Sequence, residues 1–226
     1  MNGSLDAGNM DMATINRELR RLVSGENVSV RNASHISGLG AGLRRGNIHI
    51  EGDAGDYLAM LNSGAGFEIE GDCGRFLGDG MISGSLIVNG NAGEGAGEYC
   101  YGGDIRIMGD AGNFMGTMNK GASILVTGNV GDDVATYMLA GEIIILGNAG
   151  KNLGNFLIGG TIYILGQVES FGNNTRLDKL RSDDVDRLAR VIKKVGMREA
   201  PRQFNKIVPK SSKPFYKKRE DERGVR

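Results

Sequence analysis

The chain has 226 residues, with 27 Lys+Arg balanced by 27 Asp+Glu and 40% hydrophobic side chains, enough for one sizeable core or two small ones. No apolar run approaches the roughly 18 to 20 residues of a membrane span, and the start MNGSLDAGNMDMATINREL has neither a basic leader nor an apolar signal core, so a cytoplasmic location is expected. Cys73 and Cys100 stand in no CxxC arrangement, which argues against a disulfide scaffold, a cysteine-ligated metal and redox chemistry by this chain alone.

Residues 1–27 are expected to form an N-terminal helical cap. The stretch DMATINRELRRLVSG places Met12, Ile15, Leu19 and Leu22 on one helical face, with Arg20 and Arg21 in the last turn and Gly25 as a stop.

From residue 28 to 170 the chain repeats itself. Glycine closes a short aliphatic stretch at Gly52, Gly71, Gly90, Gly109, Gly128, Gly147 and Gly166, each 19 residues after the last. A second glycine follows three residues later at Gly55, Gly74, Gly93, Gly112, Gly131 and Gly150. Directly after each anchor stands Asp53, Asp72, Asn91, Asp110, Asn129, Asn148 and finally Gln167. Two and four residues before it lie Ile48/Ile50, Phe67/Ile69, Leu86/Val88, Ile105/Ile107, Ile124/Val126, Ile143/Ile145 and Ile162/Ile164. Such alternation at period two predicts a strand with these positions facing inward.

A 19-residue unit is too short for a strand, a crossover helix and two loops. A strand this short buries its apolar face only by stacking on its own copies. The expected fold is therefore all-β, a right-handed single-stranded parallel β-helix of about seven coils. Glycine suits the corners because it tolerates positive φ and close backbone approach, and Asn and Asp suit the turns. The Asx column thus reads as architectural. A calcium ladder would need the nine-residue GGxGxD unit, which is absent. GLGAGLRRG (38–46) and GEGAGEYCYGG (93–103) lack the G-x-G-x-x-G and P-loop patterns of nucleotide sites.

Chemistry-bearing residues are sparse. His35 and His49 are 14 apart, His49 at an outward strand position, and both read as surface or turn histidines. Cys73 shares its column with Ala54, Ala92, Ala111, Val130 and Ala149, which makes it a small buried filler. Catalytic, cofactor-binding and metal-binding residues are not expected in this chain.

Residues 171–226 are expected to hold a C-terminal helix and a basic tail. SDDVDRLARVIKKVG has Ser182 as N-cap, acids in the first turn and a stripe of Val185, Leu188, Ile192 and Val195. Residues 46–166 carry 14 acids and 4 bases, and residues 196–226 carry 10 bases and 4 acids. The tail, with Phe215 and Tyr216, is expected to lie on its own acidic prism or on a partner rather than on nucleic acid. Early outward strand positions are polar, whereas Leu125, Ile144, Leu146, Tyr163 and Leu165 are not. These five define a face that either the C-terminal helix or a partner subunit must cover.

The phrases GDAGDYLAMLNSGAGFEIEGDCGRFLGDGMISGSLIVNGNAG and GNAGKNLGNFLIGGTIYILG resemble the GXGXG β-helix domain that ends the large subunit of glutamate synthase. VSVRNASHISGLGAGLRRGNIHIEGDAGDYLA is similar to the start of that domain. As a stand-alone unit the chain resembles archaeal split glutamate synthase or the small subunit of N-methylglutamate synthase. The third subunit of formylmethanofuran dehydrogenase shares the repeat.

The resemblance implies a structural subunit of an oxidoreductase complex acting on CH–NH2 donors in glutamate biosynthesis, without catalysis by this chain alone. Its partners would be a glutamine amidotransferase subunit and an FMN synthase subunit that also carries an iron-sulfur cluster. The glutaminase cysteine and the cluster cysteines of that family have no counterparts here, so no catalytic residue is carried over. A homo-oligomeric scaffold is the remaining alternative.

Overall fold

The computed structural model describes residues 3–23, 27–196 and 201–214. Gly25 and the tail residues Phe215 and Tyr216, singled out in the sequence, lie outside these. The first nine strands are β1 (Gly3–Asp6), β2 (Asn27–Arg31), β3 (Asn47–Glu51), β4 (Ser63–Ile69), β5 (Ser83–Val88), β6 (Asp104–Ile107), β7 (Lys120–Val126), β8 (Ala140–Ile145) and β9 (Thr161–Ile164). They stack in parallel in chain order, one strand per coil. The architecture is the expected parallel β-helix of about seven repeating coils.

The stack is in register with the sequence period. Ile48 pairs with Phe67, then Leu86, Ile105, Ile124, Ile143 and Ile162. All fourteen inward strand residues are buried to 2% exposure or less, so each coil supplies two side chains to one continuous core. A second wall is a column of parallel bridges through Ala54, Cys73, Ala92, Ala111, Val130, Ala149 and Val168. Cys73 is buried there as a small residue among small residues.

Beyond Gly52, which has nothing within 4 Å of a Cβ, the two glycine columns are required by contact rather than by conformation. Of the thirteen, only Gly52 has a positive φ, +86°. A Cβ on Gly90 would stand 2.7 Å from the Gly71 carbonyl oxygen, and one on Gly128 2.6 Å from that of Gly109. The Asx column explains why. The side-chain oxygen of each Asx accepts the backbone N–H of its successor one coil on: Asp53 from Asp72 (2.8 Å), Asp72 from Asn91 (2.7 Å), Asn91 from Asp110 (2.8 Å) and Asn129 from Asn148 (2.9 Å). That oxygen lies inside van der Waals reach of a Cβ on Gly71, Gly90 and Gly109. The ladder and its glycines are one device.

The third wall is where left-handed backbone collects. Residues 38, 40 and 42, and every triplet 19 residues further on to 152, 154 and 156, have φ between +51° and +76°. In the first coil these are the glycines of GLGAG, whereas later coils hold Tyr57, Phe76, Tyr99, Met118 and Tyr137 in the same conformation. Their N–H groups alternate between neighbouring coils: Tyr57 bonds forward to Arg75 O, Ala59 back to Leu39 O, and Leu61 forward to Asp79 O. Each left-handed non-glycine costs about 1–2 kcal/mol, and this hydrogen-bond register holds it there.

Helix α1 (Met12–Leu22) closes the front. Asp11 is its N-cap, accepting Thr14 N–H at 2.7 Å. Ile15 and Leu19 are buried as the stripe required, but Met12 is 50% exposed and Asn16 takes the inner position. The Asn16 amide donates to Gly38 O and accepts Gly40 N–H, binding the helix to the first GXGXG turn. The stack also extends past the periodic region. β1 precedes α1, and after β9 the strand β11 (Asn205–Pro209) adds antiparallel, with β10 (Thr175–Asp178) outside it.

Candidate functional site

On the outward face of the sheet, one row runs Ser29, His49, Glu68, Ile87, Arg106, Leu125, Ile144, Tyr163 and, across the antiparallel pair, Lys206. Its character changes at Leu125, and so does its surroundings. Helix α2 (Ser182–Lys194) lies over the late half. Leu125, Ile144, Leu146 and Tyr163 are buried with Leu188, Ile192 and Phe204, and Leu165 packs half-buried against them. The five apolar positions singled out in the sequence thus meet the chain's own C-terminal segment.

The helix is held by a largely buried polar cluster as well as by apolar contact. Arg181, not the expected Ser182, is its N-cap, and the Arg181 N–H donates to Asp184 Oδ2 at 2.8 Å. Ser182 is displaced from that role because Asp184 turns inward. It accepts from the Tyr163 hydroxyl and pairs with Lys206 Nζ at 2.7 Å. Burial opposes its ionisation, but the hydrogen bonds from Lys206, Tyr163 and Arg181 prevail and hold the carboxyl at about 2. Arg187 bridges the Tyr163 hydroxyl and Glu142. Burial pushes the Glu142 carboxyl up, and Arg187 pulls the other way. Burial likewise raises the Tyr163 hydroxyl. In the sequence Asp184 is marked only as a first-turn acid, and nothing there marks Lys206, which its antiparallel strand brings beside Tyr163.

Among the described residues, nothing covers the early half of the face. Asn27, Ser29, Asn47, His49, Glu68, Ser85 and Ile87 line an open groove of about 470 Å³. His49 Nε2 stands 2.9 Å from Glu70 Oε1, an exposed pair worth little by itself. This surface offers hydrogen-bond donors and acceptors to a neighbour. Among the described residues, no group of three or more His, Cys, Asp or Glu is placed to hold a metal ion. Cys73 and Cys100 are buried, and desolvation pushes both thiols up to about 12, the opposite of an activated nucleophile. No helix among the described residues is long and apolar enough to cross a membrane.

A coil-by-coil stack with left-handed turns on one wall and an Asx–glycine ladder on another defines a repeat protein of the parallel β-helix class. The GXGXG motif family matches residues 9–200, and the chain belongs to that family. A chain of the formyltransferase/hydrolase complex from Methylorubrum extorquens, solved in complex with methylofuran, is similar at 21% identity and a TM-score of 0.53. The similarity covers 88% of this chain and 90% of that one, and at this identity it shows the shared fold. No curated protein sequence matches the chain.

Proposed function

We propose that the chain is a non-catalytic positioning subunit of a glutamate-synthase-like complex. In this reading it orders an amidotransferase subunit against an FMN synthase subunit, which also carries the iron-sulfur cluster, while ammonia from glutamine is delivered to 2-oxoglutarate. The observation that supports it is membership of the GXGXG family over residues 9–200, combined with a prism whose every coil is clamped to the next. Such a body suits a spacer, because its surface columns keep a fixed pitch of about 4.8 Å per coil. Its polar groove on the early coils, open among the described residues, provides a hydrogen-bonding surface for a neighbour.

The similarity to a chain of the formyltransferase/hydrolase complex favours one second reading, the corresponding β-helix subunit of a formylmethanofuran dehydrogenase or formyl-transferring complex. Affinity purification of the chain from its native extract, with mass spectrometry and a flavin absorbance scan of the eluate, separates the two. Stoichiometric recovery of an FMN protein and an amidotransferase supports the first. Recovery of formyl-transferring or molybdopterin subunits replaces it with the second, and glutaminase activity or FMN bound to the isolated chain contradicts the positioning role.

A further inference from the structure

The wall of left-handed turns carries an apolar surface that the described residues leave exposed. Leu61, Ile82, Tyr99, Tyr101 and Leu139 are between 41% and 59% exposed. They belong to neighbouring coils joined by direct backbone bonds: Leu61 N–H to Asp79 O, Gly80 N–H to Glu98 O, Tyr99 N–H to Thr117 O and Tyr101 N–H to Met81 O. Single exposed apolar residues are ordinary, whereas a contiguous set marks a contact surface.

The charges in this surface fall in a particular order. Asp79 and Glu98 sit on successive coils, just before Tyr99 in the turn, and neither makes an ion pair among the described residues. Burial pushes the Glu98 carboxyl up to about 7, with Asp79 and Glu94 adding to it, as expected for carboxylates crowded together without a cation. The cation lies on the other side of Tyr99, one coil further on. Lys120 Nζ stands 4.0 Å from the Tyr101 ring centroid and 5.9 Å from that of Tyr99, and it too makes no ion pair among the described residues.

We propose that this wall is an isologous interface between two copies of the chain, related by a two-fold axis passing near Tyr99. A half-turn about that axis exchanges earlier coils with later ones and one side of Tyr99 with the other. It therefore carries Lys120 of one copy onto the Asp79–Glu98 pair of its partner, and does so twice. Self-complementarity of this kind is what a two-fold contact demands. Tyr99 and Tyr101 form its centre, aromatic anchors of the type enriched at interface cores. The proposal is independent of which complex the chain serves, and it uses a different surface from the polar groove.

Sedimentation velocity of the full chain over a range of concentrations tests it. A reversible dimer is expected, and Glu98→Lys or Lys120→Glu alone weakens self-association about tenfold or more, because each sets like charges against each other twice. An equimolar mixture of the two variants recovers wild-type association, since every introduced charge then faces its opposite. Recovery requires both variants to be folded, so it distinguishes lost contact from lost structure. A chain that stays monomeric throughout overturns the proposal and leaves the wall to a different partner. A dimer indifferent to both substitutions, or two weakened variants that fail to recover on mixing, also overturns it.

Discussion

Lys206, on the antiparallel strand β11, and Asp184, in the first turn of α2, form a 2.7 Å ion pair with both side chains only 10% exposed. They are far from the repeat's own logic, yet they decide how its apolar flank is closed. Removing one partner of a buried pair leaves an uncompensated charge, at a cost of about 3–5 kcal/mol. Lys206→Met should therefore loosen α2, read as faster hydrogen exchange in residues 182–194 with exchange in the β3–β7 core unchanged. The double variant Asp184→Leu/Lys206→Met should recover most of the loss.

Acid should release the same helix. Asp184 is depressed from 3.8 to about 2 in the folded chain, so its contribution is complete above about pH 4 and is lost as pH falls towards 2. Lowering the pH through that window should detach α2 and raise the mobility of Tyr163, followed by its fluorescence. In Asp184→Asn that step should be absent.

Three glycines separate space from conformation. Gly42 has φ +66° with nothing within 4 Å of a Cβ, so Gly42→Ala should cost about 1–2 kcal/mol from the left-handed backbone alone. Gly97 has φ +70° and a Cβ there would stand 2.6 Å from Ile124 Cδ1. Its alanine variant adds an overpacking cost of about 1–3 kcal/mol. Gly128 has no positive φ but faces the Gly109 carbonyl oxygen at 2.6 Å, so Gly128→Ala should destabilise through contact only. Urea denaturation of the three should rank Gly42→Ala as the mildest, with Gly97→Ala and Gly128→Ala both more damaging.

The Asx ladder predicts a chemical equivalence. Asn91 and Asp72 perform the same task, each accepting the next coil's N–H at 2.7–2.8 Å. Asp72→Asn should be nearly neutral in thermal melts, whereas Asp72→Ala should cost about 1 kcal/mol or somewhat more for the orphaned Asn91 N–H.

Cys73 and Cys100 should be silent towards thiol reagents at pH 8 in the native chain, because desolvation holds both thiols at about 12. Both should react fully once urea unfolds the stack. Rapid labelling of either in native buffer would contradict the buried placement.

Period-two alternation at pairs such as Ile48/Ile50 and Ile143/Ile145, spaced by 19, determined the β-helix from sequence alone. A unit that short has only its own copies to bury against, so periodicity carries the fold. The Asx–glycine ladder was legible for the same reason, although its cause is contact between coils rather than positive φ. The left-handed wall was hidden, because Tyr57, Phe76, Tyr99 and Tyr137 occupy positions that only the first coil writes fully in glycine. What forces them is hydrogen bonding between coils, which no single repeat reveals. The strands β1, β10 and β11 lie outside the 19-residue repeat, so no period marks them, and they exist because the stack offers them an edge.

The apolar row of Leu125, Ile144 and Tyr163 announced that it must be covered, but apolar surfaces carry no direction and accept any matching face. Only the tertiary structure chose α2 as the cover. It did so by bringing Lys206, Tyr163 and Asp184 within hydrogen-bond reach across more than twenty residues of chain, a geometric condition that pattern and composition do not contain.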